Sequence, residues 1–352
     1  MQLAGGTAPH WRTQDTVAVI MRQVIFALMP AIIATYWFFG IGILINIAVA
    51  GTAALITEFL ALKMRGRPVM PCLTDLSAIV TAMLFAMCLP PLTPWWVTAT
   101  GAIFAIAIAK HMYGGLGYNV FNPAMAGYVA VLISFPDALS HWQAPDIDAL
   151  NRVTLDSLTT LKFAFTGQLP DGLSIDAISR ATPLDSMQTQ LGMQLTPSEI
   201  IANPLFGNFG TRGWEWIAGC IALGGIWLLI RGIIHWHVPT AMLLTLTSLA
   251  GIGYLIDSSR FPGPGFHLFS GGAMLCAFFI ATDPVSGATS NKGRLIFGAG
   301  IGALTYLIRT WGSYADGIAF SILLMNMAAP LIDRYTRPRI YGQSDHHKNP
   351  TP

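Results

Sequence analysis

Charged side chains are scarce in this sequence. Asp, Glu, Lys and Arg make up 10% of its 352 residues, whereas 53% are hydrophobic, and the mean hydropathy is +0.57. Soluble globular proteins average about 25% charged residues. The composition therefore excludes an ordinary soluble domain and favours a polytopic membrane protein. The net charge of +2 gives no indication of nucleic-acid binding, and we expect no nucleic-acid partner.

Grouped metal ligands are also missing. The sequence has four cysteines, none of them in a CxxC pair, and all lie in or beside apolar segments: Cys72, Cys88, Cys220 and Cys276. Zinc and iron–sulfur centres need closely grouped thiolates. We therefore expect no metal centre held by this chain alone and no catalytic side chain of its own, and we interpret the cysteines as small buried hydrophobes.

We also expect no signal peptide. The segment before Arg22 has no apolar core and no cleavage pattern, so we expect the first apolar run to remain as a membrane helix. A spanning helix needs roughly 20 apolar residues. Ten segments qualify, some of them short or interrupted: 22–39, 42–62, 76–93, 95–110, 122–136, 214–232, 237–256, 266–283, 293–310 and 315–333. The sequence thus predicts an all-α polytopic membrane protein with ten transmembrane helices.

The basic residues predict the orientation of these helices, because short cytoplasmic loops are enriched in Lys and Arg. One side of the predicted membrane collects most of them: Arg12, Arg22, Lys63, Arg65, Arg67, Lys110, Arg231, Lys292, Arg294, Arg334, Arg337, Arg339 and Lys348. The short turns on the other side have almost no Lys or Arg. We therefore predict that both termini, including the tail 337–352, are cytoplasmic and that the long loop 137–213 is periplasmic.

The long loop divides the chain into two halves of five predicted helices, 1–136 and 214–336. Within the loop, short helices are expected around 155–167 and 196–203. A faint repeat relates the halves, because Ser77 and Ser270 each stand fourteen residues before a proline, Pro91 and Pro284. An odd number of helices per half makes such a repeat inverted, and inverted repeats place functional sites near their interface.

Three polar residues are candidates for a cofactor site. Asn119 and Asn122 lie in "YGGLGYNVFNPAM", where the two amides either face the edge of a heterocycle or belong to a turn in which Asn122 caps the next helix. Asp283 ends an apolar segment, and ionisable residues at membrane depth are often functional, although a helix-terminal turn explains it slightly better. Glu58, near Lys63, is interpreted as a boundary residue, and the histidines 111, 235, 237 and 267 as interfacial residues.

The tetrapeptide Ser-x-Ala-Thr occurs twice. One copy ends at Thr182 in the predicted periplasmic loop, within "DAISRATPLD". The other ends at Thr289 in a short predicted cytoplasmic loop beside Lys292 and Arg294. Pro183 favours an extended backbone at Thr182, which presents its hydroxyl to an incoming enzyme.

Four stretches carry a family resemblance: "AKHMYGGLGYNVFNPAMAGYVAVLISFP", "ISRATPLD", "FFIATDPVSGATSNKGRLIFG" and "PLIDRYTRPRIYG". Together they resemble the D subunit of the Rnf-type ion-translocating oxidoreductase complex, which is homologous to the B subunit of the sodium-pumping NADH:quinone reductase. The resemblance implies an inner-membrane protein of ten helices in two inverted halves. It also implies electron transfer between NADH and ferredoxin coupled to ion movement, with subunits A, B, C, E and G as partners in the bilayer.

The resemblance also implies two flavins. FMN is expected to be attached through its phosphate to Thr182 by a periplasmic flavin transferase, with Ser179 in the attachment stretch and Arg180 able to hold the phosphate by a charge-assisted hydrogen bond. A non-covalent riboflavin is expected near Asn119, Asn122 and Asp283. The alternative is a solute channel or secondary transporter of inverted-repeat fold without a redox role, because fold alone does not decide function.

Overall fold

The structure, a computed structural model, describes residues 16–145, 155–203, 205–207 and 210–337. Most of the predicted cytoplasmic tail therefore lies outside the described residues. The part before the long loop comprises helices α1 (Val17–Phe39), α2 (Gly42–Met64), α3 (Val69–Leu73), α4 (Ser77–Ala86), α5 (Trp95–Ile103), a π-helix π1 (Phe104–His111) and α6 (Pro123–Ser134).

The long loop carries its own short elements. They are α7 (Pro136–Ser140), β1 (Trp142–Gln143), α8 (Ser157–Thr166), α9 (Ile175–Ile178), β2 (Ser179–Arg180), α10 (Pro183–Gly192) and α11 (Pro197–Ile201). The two helices expected around 155–167 and 196–203 are confirmed as α8 and α11. Strands β1 and β2 pair in antiparallel fashion, which is a small departure from the all-α prediction.

The part after the loop comprises α12 (Trp214–Ile230), α13 (His237–Ile256), α14 (Pro264–Phe269), α15 (Ala273–Leu275), a π-helix π2 (Cys276–Ile280), α16 (Asn291–Trp311) and α17 (Ile318–Thr336). Local sequence fixes several helix starts. Thr16, Asn122 and Ser290 each accept a backbone N–H with their side chains at the beginning of α1, α6 and α16, as N-cap residues do.

Membrane-spanning potential is clear within the described residues. Five stretches are long and apolar enough to cross a bilayer: Val17–Phe39, Gly42–Met64, Val69–Met87, His237–Ile256 and Ile318–Thr336. Helices lie at the other five predicted spans as well, but these are shorter, interrupted or less apolar. The chain is a helical multi-pass membrane protein, and the count of ten spans stays a prediction.

The same helix pairs occur on both sides of the loop. Helix α2 packs against α4 and α5, and α13 packs against α14 and α16. The two sides contact each other through matching helices. The first helix of one side, α1, packs against the first of the other, α12, and the last helices, α6 and α17, pack against each other. This pairing is what a two-fold related repeat produces.

Close approach of α13 and α16 depends on two glycines. A Cβ at Gly298 would lie 2.6 Å from the carbonyl oxygen of Val238, and one at Gly302 would lie 2.5 Å from that of Met242. Small residues that let helix backbones touch are typical of membrane interfaces.

Candidate functional site

Thr182 stands at the start of a loop helix that rests on the membrane bundle. The pairing of Ser179 with Gln143 and of Arg180 with Trp142 positions the chain just before it. Thr182 itself is extended (φ −62°, ψ 160°) and is the N-cap of α10, with Pro183 in the first turn. Its hydroxyl oxygen accepts the backbone N–H of Asp185 at 3.1 Å, and its hydroxyl proton is donated to the carboxylate Oδ2 of Asp185.

The Thr182 side chain lines a cavity of about 460 Å³, called here the Thr182 cavity. Its walls come from both halves of the chain and from the loop. The aromatic members are Phe39, Tyr128, Trp142, Trp214 and Tyr314, and the polar members include Thr35, Cys88, Ser140, Asp185 and Asp316. The cavity thus combines a hydroxyl, carboxylates and apolar walls at the junction of the two halves.

Helix α10 is held in place at a sharp turn of the second half. Gly271 has a left-handed backbone (φ 67°), and a Cβ there would lie 2.5 Å from Leu184 Cδ1 and 2.5 Å from Asp316 Oδ2. Only glycine fits such a position without strain. The Gln188 side chain also donates a hydrogen bond to the carbonyl oxygen of Gly312 at 2.7 Å. Thr182 is therefore placed at the cavity by packing and not by loop sequence alone.

A second cavity, of about 270 Å³, is lined by Asn119, Asn122 and Asp283 and is called here the Asn122 cavity. The structure brings these three predicted residues together. The apolar part of the wall includes Leu84, Leu228, Phe278 and Phe279, and the basic members are Lys110, His235 and Arg294.

The cap interpretation of Asn122 is confirmed, and the residue lines the cavity as well. Its side-chain oxygen accepts the N–H of Met125 at 3.2 Å, while its side-chain nitrogen donates to the carbonyl oxygen of Ile280 at 3.3 Å. Its backbone N–H donates to Asn326 Oδ1 at 3.0 Å. Asn326, which no sequence motif marked, donates in turn to the carbonyl oxygen of Ser286 at 3.0 Å. Asn122 thereby ties α6 to the second half.

Asp283 and Asn119 also have partners within the protein. Asp283 Oδ2 accepts the hydroxyl of Ser286 at 2.7 Å, and its Oδ1 accepts the N–H of Val285 at 3.3 Å. Asn119 donates to the carbonyl oxygen of Phe121 at 3.1 Å. The turn interpretation of Asp283 is consistent with these bonds, and a cofactor contact at any of the three residues stays a prediction.

Two discontinuous helices run past both cavities in opposite directions. The first breaks between α3 and α4, where Leu76 has a left-handed backbone (φ 64°). It passes from Ser77 at the Asn122 cavity to Met87 at the Thr182 cavity. The second breaks at Gly271, between α14 and α15, and passes from the Thr182 cavity to Thr282 at the Asn122 cavity. Ser77 and Ser270, the matched serines of the faint repeat, lie at the two breaks.

A buried cation contacts each break. Lys110 donates to Ser77 Oγ at 2.8 Å and to both carboxylate oxygens of Glu58 at 2.9 Å. Arg309 donates to the carbonyl oxygens of His267 at 2.6 Å and Ser270 at 3.3 Å, and pairs with Asp316 at 3.0 Å.

The interpretation of Glu58 as a boundary residue was therefore wrong, because the side chain is 2% exposed and paired with Lys110. His111 and His267 are likewise buried within the protein. Both lie beside these cation networks, and burial there follows from the packing of helices distant in sequence.

The remaining predicted residues lie apart from the cavities or at their rims. Ser179 is half-buried and Arg180 exposed, and neither lines the Thr182 cavity. Thr289 borders the Asn122 cavity, where its hydroxyl and backbone N–H donate to the carboxylate of Asp333 at 3.0 and 2.9 Å. This bonding matches the interpretation of Thr289 as a turn residue.

Sequence comparison places the chain among known proteins. Residues 6–342 match the NQR2, RnfD, RnfE family. The chain belongs to this family. It is 49% identical over 343 residues to the D subunit of the ion-translocating oxidoreductase complex of Colwellia psychrerythraea, covering 96% of this chain and 97% of that protein.

Other relatives agree over the same span. Identity to the D subunit from Shewanella denitrificans is 48%, over 96% of this chain and 97% of the relative. For the D subunit from Alcanivorax borkumensis it is 47%, over 99% of both chains. Matches of this length include both halves and the long loop.

Proposed function

We propose that this chain is the D subunit of an ion-translocating oxidoreductase complex, a membrane subunit that carries electrons while the complex moves ions. The observation that carries the proposal is that Thr182 lines a cavity between the two halves, in a member of this family. The relatives bear the name of such a subunit over nearly their whole length.

The Thr182 cavity fits a covalently attached FMN. Ligand pockets commonly measure about 300–1,000 Å³ with mostly apolar walls, and this cavity, at about 460 Å³, lies within that range. A phosphate ester on Thr182 would lie at the N-terminus of the ten-residue helix α10, where the helix dipole and backbone N–H groups favour an anion. The aromatic rings of Phe39, Trp142 and Trp214 supply flat apolar surface for a flavin ring.

The donor set of the Asn122 cavity fits the polar edge of a riboflavin ring, because amides and a carboxylate offer both donors and acceptors. Its apolar side chains suit the faces of the ring. At about 270 Å³ the cavity is somewhat smaller than the usual range for ligand pockets.

When bound, a flavin supplies the one- and two-electron chemistry, and the protein supplies position and electrostatics. In this division of roles Thr182 anchors the FMN phosphate, the aromatic wall orients the ring, and Asn122 and Asp283 hold the riboflavin edge. Ser179 and Arg180 serve recognition of the attachment stretch, since both lie outside the cavity lining. Asn122, which lines its own cavity, donates to the carbonyl oxygen of Ile280, a residue that lines the Thr182 cavity.

The proposed subunit sits in the bacterial inner membrane as ten helices in two inverted halves, with both termini cytoplasmic and the loop 137–213 periplasmic. Subunits A, B, C, E and G are its partners, and electrons pass between NADH and ferredoxin. Two features support the inverted halves: the two discontinuous helices run in opposite directions, and the matching helices α1 and α12, and α6 and α17, pack against each other.

A flavin assay separates this function from a solute channel of the same fold. The full-length protein, produced with a flavin transferase, is denatured and run on a gel. A band that fluoresces as flavin at the mass of the chain supports the electron carrier. A dark band from protein that is fully expressed contradicts it and favours the channel.

A further inference from the structure

The bonding between Thr182 and Asp185 has chemical consequences beyond helix capping. The hydroxyl proton of Thr182 is directed to the Asp185 carboxylate. The backbone N–H of Asp185 points at the same hydroxyl oxygen from 3.1 Å. One residue thus accepts the proton of the hydroxyl and supplies a hydrogen-bond donor to its oxygen.

We propose that Asp185 is the general base for attachment of FMN to Thr182. This inference rests on the proposed function, because it concerns the reaction that loads the flavin. A threonine hydroxyl is a weak nucleophile and needs an adjacent base. The Asp185 carboxylate occupies that position before any transferase binds.

The reaction balances with a flavin dinucleotide as donor. The Thr182 oxygen attacks the phosphorus on the FMN side of the diphosphate, and a Thr182 Oγ–P bond forms. The bond between that phosphorus and the bridging oxygen breaks, and the nucleoside monophosphate leaves. The hydroxyl proton passes to Asp185 Oδ2, and no redox change occurs. The Asp185 N–H stabilises negative charge on the threonine oxygen as the proton leaves.

The other charged side chain at the cavity is not placed for this role. Among the described residues lining the Thr182 cavity, the charged ones are Asp185 and Asp316. Asp316 is engaged by Arg309 at 3.0 Å and by the N–H of Gly272 at 2.8 Å. Tyr128 and Cys88 line the same cavity, and neither hydroxyl nor thiol is an effective base while protonated.

The loop contains a matched control for simple capping. Thr196 donates its hydroxyl to Glu199 at 2.8 Å and accepts the Glu199 N–H at 3.4 Å, in the same Thr-x-x-acid pattern. Glu199 is exposed, whereas Asp185 is half-buried. Hydrogen bonds from the Thr196 backbone N–H and hydroxyl lower the pKa of Glu199. Replacing this carboxylate by the amide of the same shape makes the same change as Asp185→Asn at a capping residue that does not touch Thr182.

The test measures the rate of flavin loading. Full-length protein made without a transferase is purified in detergent, then mixed with purified transferase and flavin adenine dinucleotide, and fluorescence of the denatured band is followed. We expect Asp185→Asn, which keeps the shape and the N–H, to load about 10²-fold more slowly than wild type, a typical loss for a general base. We expect Glu199→Gln to load at the wild-type rate and Asp185→Glu to recover part of the lost rate.

A pH series distinguishes a base from a cap. The ratio of the wild-type rate to the Asp185→Asn rate should fall as the pH is lowered, because a general base acts only in its ionised form whereas an amide does not change with pH, and the transferase's own pH dependence cancels in this ratio. If Asp185→Asn does not fold, Asp185→Ala with added acetate provides the second test, since a small carboxylate should restore loading.

The outcomes separate the two claims. Wild-type loading by well-folded Asp185→Asn, a rate ratio that does not change with pH, or no rescue by acetate overturns the role of Asp185. Loading of Thr182→Val at the wild-type rate overturns the proposed attachment site itself.

Discussion

Lys110 places its ammonium nitrogen 2.9 Å from both carboxylate oxygens of Glu58, and the two side chains are 3% and 2% exposed. The same nitrogen reaches Ser77 Oγ at 2.8 Å, so the pair joins α2, π1 and the start of α4. His111 lies 3.2 Å from the same carboxylate. This network fixes the break in the first discontinuous helix, beside the Asn122 cavity.

Removing one partner of the Glu58–Lys110 pair should destabilise the protein, because it leaves a buried charge uncompensated. We expect Glu58→Ala to lower the free energy of unfolding by about 3–5 kcal/mol, and the double change Glu58→Ala with Lys110→Met to recover part of that loss. The measurement is denaturant unfolding in detergent followed by tryptophan fluorescence. The exposed pair Asp257–Arg260, at 3.8 Å, gives the control: Asp257→Ala should cost far less than Glu58→Ala, because water already solvates both exposed charges. Equal costs for Glu58→Ala and Asp257→Ala would contradict the buried-pair account.

The contact between α13 and α16 can be tested at a single glycine. A Cβ at Gly302 meets the Met242 carbonyl oxygen at 2.5 Å, so Gly302→Ala forces the helices apart and should cost about 1–3 kcal/mol. Gly219, in α12, has no atom within 4 Å of the position that a methyl group would take. Gly219→Ala should therefore be neutral or stabilising by up to about 1 kcal/mol. Thermal unfolding of both variants is the measurement. A Gly302→Ala protein as stable as wild type would show that the two helices do not need this contact.

Sequence reasoning succeeded where the signal is local. The Asn-Pro start of α6, the loop helices α8 and α11, and the helices at the predicted spans follow from capping residues and apolar runs. It failed to predict contacts between residues that are distant in sequence. Lys110 binds Glu58, which lies 52 positions away, and Arg309 binds His267 on α14 and Asp316, which follows α16. The left-handed backbone of Leu76 could not be predicted from the sequence either, because non-glycine residues adopt that conformation only when their surroundings impose it.

The candidate site divides in the same way. Thr182 and the trio Asn119, Asn122 and Asp283 were predicted from their motifs, and the structure places them in the walls of the two cavities. Asp185 carried a signal that was not used, since Thr-x-x-acid is the pattern of a capping box. Asp316 and Gly271 carried no sequence signal, because they reach the Thr182 cavity only through the folding of the second half.

Riboflavin content tests the Asn122 cavity. We expect Asn122→Ala combined with Asp283→Ala to release extractable riboflavin, because the proposed site uses these side chains to hold the polar edge of the ring, while leaving the fluorescence of denatured protein unchanged. Asp257→Ala, which alters a carboxylate outside the cavity, should keep its riboflavin. Retention of wild-type riboflavin by the double variant would place the binding site elsewhere.

Topology predicts the location of an inserted reporter. The turn between α8 and α9, around Gly167 and Gly172, is exposed, and an insertion there should leave the packed helices intact. We expect alkaline phosphatase inserted near residue 170 to be active, as in the periplasm, and the same reporter fused after residue 336 to be inactive. Activity of the second fusion and silence of the first would reverse the orientation.

The central claim is that Thr182 carries a covalent flavin, and fluorescence of the denatured chain tests it most directly. Thr182→Val keeps the side-chain shape but removes the hydroxyl, whereas Thr289→Val does the same at the second Ser-x-Ala-Thr copy. Each protein is produced together with a flavin transferase, and its amount is matched by immunoblot. We predict a fluorescent band for wild type and Thr289→Val and a dark band for Thr182→Val. A fluorescent Thr182→Val band beside a dark Thr289→Val band would contradict both the attachment site and the membrane orientation from which it was argued.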